Sequence, residues 1–186
     1  MRYVALLRGI NVGGNTMIKM SELKNSFESL GLENVATYIN SGNLAFDAES
    51  VSSPHVSKGE LANESILVSK IEQAIEKEFG KAVPVMVREK ADIERILANN
   101  PFHGEFESHK EMHVLFMKDE MPADKQKHFL AQQTKDERFA VRGLEIYCHL
   151  RLGVAESILG KGFIDKKLKV PITSRNWRTV EKLAEL

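Results

Sequence analysis

A repeated alternation between short extended runs and longer amphipathic helical runs is the feature that most constrains the fold. Residues 2–8 form a short apolar run, which is typical of a buried strand. Leu23, Phe27 and Leu30 then recur at spacings of four and three, which places them on one face of a helix. Alternating residues over 35–39 predict the next strand, and a turn and a third strand follow it.

A second helix and a fourth strand complete this first pattern. Apolar residues return every fourth position over 67–79, and Val83, Val85 and Val87 alternate after them. The resulting order, β-α-β-β-α-β, is that of a ferredoxin-like lobe. The polar residues 47–65 predict a loop that runs into the second helix.

The second half of the chain predicts the same order again, with one extra helix at the C-terminus. We therefore predict an α+β fold of two ferredoxin-like subdomains, residues 1–88 and 111–186, joined by a linking helix and loop over 89–110. The helix expected over 155–168 contains two glycines, each unfavourable by about 1 kcal/mol relative to Ala, so we expect a break near Gly160.

Helix starts are expected at two serines in this scheme. Ser21 is predicted as the N-cap of the first helix, and the final helix is predicted to begin near Ser174. Trp177 lies at helical spacing from Val180 and is expected in the core of the second subdomain.

Two polar segments meet in the predicted topology. The first and second strands run in the same direction, so the glycine-rich loop after the first strand shares an edge with the turn between the second and third. This edge collects a guanidinium, amides, a hydroxyl and flexible backbone. Its candidate ligand-binding residues are Arg8, Asn11, Gly13, Gly14, Asn15, Lys19, Asn40, Ser41, Gly42 and Asn43.

Such an edge has the chemistry of an anion or polar-ligand site. Successive backbone N–H groups and the start of the following helix both favour negative charge. Gly9 to Gly14 have the spacing of a phosphate-binding loop, but Asn15-Thr16 stands where that loop needs lysine and a hydroxyl residue, which argues against an NTPase. A tight structural turn and a protein-contact loop remain open alternatives.

The charge balance and the apolar runs of the chain limit the classes of partner that it is expected to bind. Lys plus Arg and Asp plus Glu both number 26, so there is no basic excess of the kind that nucleic-acid coats need. RNA binding is a distant alternative, since the first and third strands offer few aromatics for base stacking. No run reaches the length of a membrane span, and the N-terminal apolar run is too short for a signal segment, so we expect no membrane association.

The single cysteine, Cys148, excludes an intramolecular disulfide and fits a cytosolic location. It is expected to pack in a strand, with His149 pointing to the opposite face. His109 and His113 have the spacing of metal ligands on a helix, but His113 enters a predicted strand. We expect neither a metal nor another cofactor.

Six stretches, in order along the whole chain, resemble domain-of-unknown-function family 1697. They are residues 4–14, Lys19-Met20, residues 37–43, Asn100-Pro101-Phe102, Val141-Arg142-Gly143 and residues 173–177. The resemblance implies a bacterial-type cytosolic protein with two ferredoxin-like subdomains, and it implies no particular activity. The chain departs from the family over 151–157, where relatives carry a tyrosine- and glycine-containing segment followed by Ser-Lys, and residues 48–64 are longer and more polar than usual.

The leading hypothesis from the sequence is a protein that binds a small anionic or polar ligand at the edge formed by residues 8–15 and 40–43. Arg175 and Asn176 complete that site if the two subdomains face each other. The alternative is a protein-interaction or self-association module without catalysis. The residues leave open whether the protein is an enzyme, and they leave its oligomeric state undetermined.

Overall fold

The computed structural model describes residues 1–14, 16–49 and 61–186. The chain divides into two units, the first made of residues 1–94 and 182–186 and the second of residues 95–181. The first elements are β1 Arg2–Leu7, α1 Met20–Ser29, β2 Glu33–Tyr38, β3 Asn43–Asp47, α2 Leu61–Phe79, β4 Val85–Glu89 and α3 Lys90–Ala98. The later elements are β5 Met112–Met117, α4 Ala123–Leu130, β6 Glu137–Arg142, β7 Glu145–Leu150, a π-helical turn Ile164–Leu168, β8 Ile172–Asn176 and α5 Trp177–Glu185.

The first unit contains a four-stranded antiparallel sheet in the order β2-β3-β1-β4. Alternation along β1 sends Tyr3 to the face that α1 and α2 cover, where its ring stacks on Phe46 with centroids 5.9 Å apart. Phe27 from α1 packs edge-on against the same Phe46 ring at 5.6 Å. The helical and strand periodicities of the sequence thus meet in one apolar core.

The second unit repeats the arrangement, with an antiparallel sheet in the order β6-β7-β5-β8. Phe129 of α4 packs on Phe139 of β6 with ring centroids 4.5 Å apart. Cys148 of β7 lies in this core, as alternation along the strand requires. An α+β architecture with two four-stranded antiparallel sheets is therefore established.

Two predicted helix starts are wrong. Helix α1 begins at Met20, with Lys19 at the N-cap position and no capping side chain, so Ser21 lies inside the first turn. Helix α5 begins at Trp177, and Ser174 belongs to β8. Asn176, an equally good capping residue, accepts hydrogen bonds at its Oδ1 from the backbone N and Oγ1 of Thr179 at 2.9 and 2.8 Å.

The helix expected over 155–168 forms only as the π-helical turn Ile164–Leu168. The expected break near Gly160 is present, but turns rather than a helix precede it. A side chain at Gly160 would place its Cβ 2.2 Å from the carbonyl oxygen of Val154, so the backbone here is folded too tightly for a regular helix. The chain therefore covers the second core with turns between residues 151 and 163. Of the predicted loop over 47–65, residues 50–60 lie outside the described part of the chain.

Within the described residues, none of the helices has the length and apolar character needed to cross a lipid bilayer.

Candidate functional site

Asn11 joins the glycine-rich loop to the β2–β3 turn. Its Nδ2 donates hydrogen bonds to the carbonyl oxygens of Ile18 and Asn40, each at 2.8 Å, and its Oδ1 accepts one from the Ile18 backbone N at 2.8 Å. We call the surface formed by residues 8–14 and 39–43 the glycine-loop edge. The two segments that the sequence pairs by topology are in direct contact here.

Gly42 packs the turn tightly against the end of β1. The Leu7 backbone N donates a 2.8 Å hydrogen bond to the Gly42 carbonyl oxygen. A Cβ at Gly42 would lie 2.7 Å from Leu7 Cβ and 2.9 Å from Ile10 Cγ1. The backbone φ of 78° at Gly42 adds a second requirement for glycine.

The amide of Asn43 is also used inside the fold. Asn43 is fully buried, and its Nδ2 donates to the carbonyl oxygen of Tyr38 at 3.0 Å and to Ser41 Oγ at 3.1 Å. The backbone N of Arg8, a half-buried residue, donates to the Pro84 carbonyl oxygen at 2.9 Å. Several conspicuous polar residues at the edge thus hold the turn in shape.

An open depression of about 690 Å³ lies at the glycine-loop edge. Lys19 and Glu22, which both line it, form an ion pair at 3.2 Å, with 79% and 49% of their side chains exposed. The first turn of α1 borders the depression through Ser21 and carries no side-chain cap. The lining residues are Asn11, Met17, Ile18, Lys19, Met20, Ser21, Glu22 and Asn40. Gly13 and Gly14 are exposed with open space where a Cβ would be, and Asn15 lies outside the described residues.

Three exposed apolar side chains lie on or beside the glycine-loop edge, and one of them, Met17, lines the depression. Val12, Met17 and Ile39 are 60%, 69% and 51% exposed, respectively. Ile39 also has a φ of 49°, a conformation that is strained for a β-branched residue. The edge therefore combines polar backbone with an apolar rim.

Arg175 and Asn176 lie in the second unit, at the end of β8. Burial lowers the pKa of the Arg175 guanidinium to about 10, and its Nη1 donates to Thr173 Oγ1 and the Ser174 carbonyl oxygen, both at 2.8 Å. Asn176 caps α5, as described above. Both residues thus have local structural partners in their own unit.

A second polar cavity, of about 460 Å³, opens on the second unit and was not singled out by sequence reasoning. Among its lining residues, His149 is only 4% exposed. Both of its ring nitrogens are buried, and within the described part of the protein neither has a hydrogen-bond partner. The nearest acid is Glu111, whose Oε2 lies 3.8 Å from His149 Nε2. We call this cavity the histidine pocket; its lining residues are Glu105, Glu107, Glu111, Lys135, Arg138, His149 and Arg151.

The chain is related to a known protein family and to a solved structure. The sequence profile of a family described as "Protein of unknown function (DUF1697)" matches residues 1–147. The chain belongs to this family. A solved structure of a conserved bacterial protein from Streptococcus pneumoniae is similar at a TM-score of 0.72 and 30% identity, over 99% of this chain and 97% of that one. No curated protein matches the chain.

Family membership confirms the resemblance seen in the sequence and gives its motifs a structural context. The motif Asn100-Pro101-Phe102 borders the histidine pocket, because the Phe102 ring lies 5.8 Å from the His149 ring. Asn100 Oδ1 accepts a 3.0 Å hydrogen bond from the Phe102 backbone N and fixes that turn. The combination of this motif with a histidine facing away from the core was the signal that could have located the pocket.

The remaining candidates have ordinary structural surroundings. Burial raises the pKa of the Cys148 thiol well above its usual value, so the thiol is inert. His109 Nδ1 lies 3.5 Å from Glu181 Oε2, whereas His113 is buried. The two histidines therefore do not have the arrangement of a pair of metal ligands. Among the described residues, no group of three or more His, Cys, Asp or Glu side chains is arranged to hold a metal ion.

Proposed function

We propose that the protein binds a small anionic or polar ligand at the glycine-loop edge, in the depression beside the first turn of α1. The observation that carries this proposal is that Asn11 holds the loop and the turn together around an open depression next to an uncapped helix start. The first backbone N–H groups of such a helix point outward and favour a negatively charged group.

Charged and polar side chains would supplement the helix start. Lys19 lines the depression and supplies a cation. In this proposal Arg8, the residue after β1, supplies a second cation from the glycine-rich loop. Ser21 and Asn40 add polar side chains that are exposed to a ligand. Asn11 acts by shaping the wall, since its amide is already bonded to the protein.

We also propose that the two units are ferredoxin-like subdomains and that the protein is cytosolic. The strand order β2-β3-β1-β4 and its repetition in the second unit support two ferredoxin-like subdomains. The buried free thiol of Cys148 is compatible with a cytosolic protein.

A titration with inorganic phosphate and with citrate, followed by the backbone amide resonances of residues 19–22, tests the ligand site. We expect Arg8→Ala and Lys19→Ala each to weaken binding by about tenfold, because charge-assisted hydrogen bonds are lost. Lys24→Ala is the matched control, since Lys24 pairs with Glu28 at 3.7 Å on the same helix outside the depression. Neither test variant should lower the melting temperature appreciably, and unfolding of Arg8→Ala would instead make that residue structural.

Self-association through the rim is a second candidate, favoured by the three exposed apolar residues Val12, Met17 and Ile39. Light scattering over a range of protein concentrations should then show a dimer that the variant Val12→Ser/Met17→Ser/Ile39→Asn loses. A wild-type chain that stays monomeric at high concentration would eliminate this candidate.

A further inference from the structure

A cluster of lysines lies on the second unit, where helix α4 meets the π-helical turn. Within residues 161–169 there are four lysines and a single acid, although the whole chain has equal numbers of basic and acidic residues. The neutrality of the whole chain therefore conceals a local basic surface, which is the electrostatic footprint of a polyanion site. We call this surface the lysine patch; its members are Lys125, His128, Lys161, Phe163, Lys166, Lys167 and Lys169.

The π-helical turn directs its lysines outward. Ile164 and Leu168 are buried in the second core, while Lys166 and Lys167 between them are exposed to solvent. The exposed Lys169 ends the turn at a φ of 52°, and its backbone N donates a 2.7 Å hydrogen bond to the Ile164 carbonyl oxygen. The positive charges of this segment are thus carried on a backbone that the core holds in place.

Helix α4 adds a charge and an aromatic ring to the same surface. Lys125 Nζ donates a 2.6 Å hydrogen bond to the Leu168 carbonyl oxygen and so joins α4 to the turn. The His128 ring stacks on the Phe163 ring, with centroids 5.6 Å apart and 28° between the ring planes. Because His128 is exposed, this stack presents an aromatic surface to solvent beside the lysines.

The lysine patch stays positive after the nearby acids are counted. Lys166 Nζ donates a 3.3 Å hydrogen bond to the Lys161 carbonyl oxygen, which brings the side chain of one lysine close to the backbone of another. Across α4 and residues 161–169 the acids are Asp124 and Asp165, against six lysines. Like charges at this density repel one another, so a partner that carries many negative charges is favoured.

The aromatic stack selects among the possible polyanions. A single-stranded nucleic acid presents phosphates together with unpaired bases, and such bases stack on exposed aromatic rings, including that of histidine. A duplex keeps its bases paired and stacked inside the helix. Binding to an anionic membrane surface also takes up exposed apolar side chains, and no member of the lysine patch is among the exposed large apolar residues of the described chain.

We propose that the lysine patch binds single-stranded nucleic acid, with phosphates beside the lysines of residues 161–169 and a base stacked on His128. The charge balance that argued against a nucleic-acid partner describes the whole chain, and it leaves room for one basic surface. The patch also differs from the strand faces on which few aromatics were found. This inference is independent of the function proposed for the glycine-loop edge, which lies in the other unit.

The first test measures the fluorescence anisotropy of a labelled oligonucleotide of about twelve nucleotides, without self-complementarity, against the full chain at about 50 mM salt. We expect saturable binding, and a plot of log affinity against log salt concentration with a slope of about −3. Four lysines on a single strand each contribute about −0.7 to that slope, because each phosphate contact releases counterions. The same strand annealed to its complement, and a polyphosphate of equal charge, should each bind about tenfold more weakly, since neither offers a free base.

The second test removes charge. Lys166→Gln/Lys167→Gln should weaken oligonucleotide binding by about tenfold and make the salt slope shallower by about 1.4. Lys77→Gln/Lys81→Gln is the matched control, because it removes two exposed lysines from the first unit, and it should leave both the affinity and the slope unchanged.

The third test removes the ring. His128→Ala should weaken oligonucleotide binding by about tenfold and leave polyphosphate binding unchanged, because only the oligonucleotide has bases to stack. His128→Phe should restore oligonucleotide binding. A purely structural role of His128 would change the binding of both probes alike, and the melting temperature of each variant checks that it is folded.

Four results would overturn the proposal. The first is the absence of oligonucleotide binding by the folded wild-type chain at about 50 mM salt. The second is equal affinity for the single strand, the duplex and polyphosphate, which would show that charge alone is recognised. The third is binding to vesicles that contain phosphatidylserine without binding to the oligonucleotide, which would make the patch a membrane surface. The fourth is an equal loss of affinity in Lys77→Gln/Lys81→Gln, which would place the binding elsewhere.

Discussion

The glycine-loop edge and the histidine pocket treat their polar side chains in opposite ways. At the edge, Asn11 and Asn43 are conspicuous in the sequence, and their amides are bonded to the protein's own backbone. In the pocket, His149 is inconspicuous in the sequence, and its ring nitrogens have no hydrogen-bond partner among the residues that the structure describes. A conspicuous motif can therefore describe a demanding turn, while an inconspicuous residue can carry the buried polar atoms that lack a hydrogen-bond partner.

The comparison also separates two ways in which a site can be prepared. The edge offers an open depression whose available groups are mostly backbone and exposed chains such as Lys19 and Ser21. The pocket offers side chains locked by stacking and ion pairing around a buried base. Preorganised side chains give selectivity among ligands, whereas an open edge favours charge over shape.

The largest expected effect concerns Gly42 at the edge. Gly42→Ala combines an unfavourable φ with a clash against Leu7 and Ile10, and we expect a loss of about 3 kcal/mol in the free energy of unfolding. Gly14→Ala has a similar φ but open space, so its loss should be only about 1 kcal/mol. Urea unfolding of both variants measures the difference, and equal losses would show that the close packing contributes nothing.

Asn11 gives the next effect. Asn11→Ala removes three hydrogen bonds and strands backbone groups of Ile18, so we expect a loss of about 2 kcal/mol. Asn40 contributes only its backbone oxygen to this network, and Asn40→Ala should cost less than about 0.5 kcal/mol. Thermal denaturation compares the two variants. If Asn11→Ala is as stable as the wild type, the Asn11 amide does not hold the loop and is available to a ligand.

The histidine pocket predicts a gain of stability. His149→Phe keeps an aromatic ring beside Phe102 and removes two unsatisfied nitrogens, so we expect a gain of about 1 kcal/mol. The exposed His103 serves as control, since His103→Phe should change the unfolding free energy little. If His149→Phe is destabilised instead, the imidazole has a structural role and the contrast between the two regions weakens.

The smallest expected effect depends on pH. Burial lowers the pKa of His113 below 6.5, so the folded state holds this imidazole neutral while the unfolded chain protonates it. The unfolded state then binds more protons, and stability is lost as the pH falls below about 6.5. His113→Met should flatten the dependence of the wild-type free energy of unfolding on pH between about pH 7 and 5. A variant with the wild-type slope would assign the dependence to other groups.

Much of the fold follows from local periodicity. Alternation located β2, β6 and β7, and spacings of three and four located α1 and α2, because burial of one face imposes a period of two on a strand and 3.6 on a helix. The start of α5 was misplaced because Ser174 and Asn176 are both good capping residues, and the sequence alone does not rank them. The helix over 155–168 failed because a tight turn at Gly160 outweighs its apolar spacing.

The candidate sites divide in the same way. Topology paired residues 8–14 with the β2–β3 turn, and the contact between Asn11 and Asn40 follows from that pairing. The histidine pocket escaped sequence reasoning because the burial of His149 depends on Phe102, a residue remote in the chain. Whether a polar group finds a partner is decided by contacts of this kind, which no local pattern encodes.

The sequence by itself determined the α+β class, the order of the strands along the chain, the family and the meeting of the glycine-rich loop with the first turn. These properties depend on periodicity and chain connectivity, which are written in the order of residues. The tertiary structure alone decided that the amides of Asn11 and Asn43 donate hydrogen bonds to backbone carbonyl oxygens. It also decided that the ring nitrogens of His149 have no hydrogen-bond partner among the described residues. Hydrogen-bond satisfaction is a property of packed neighbours, so it becomes visible only when the chain is folded.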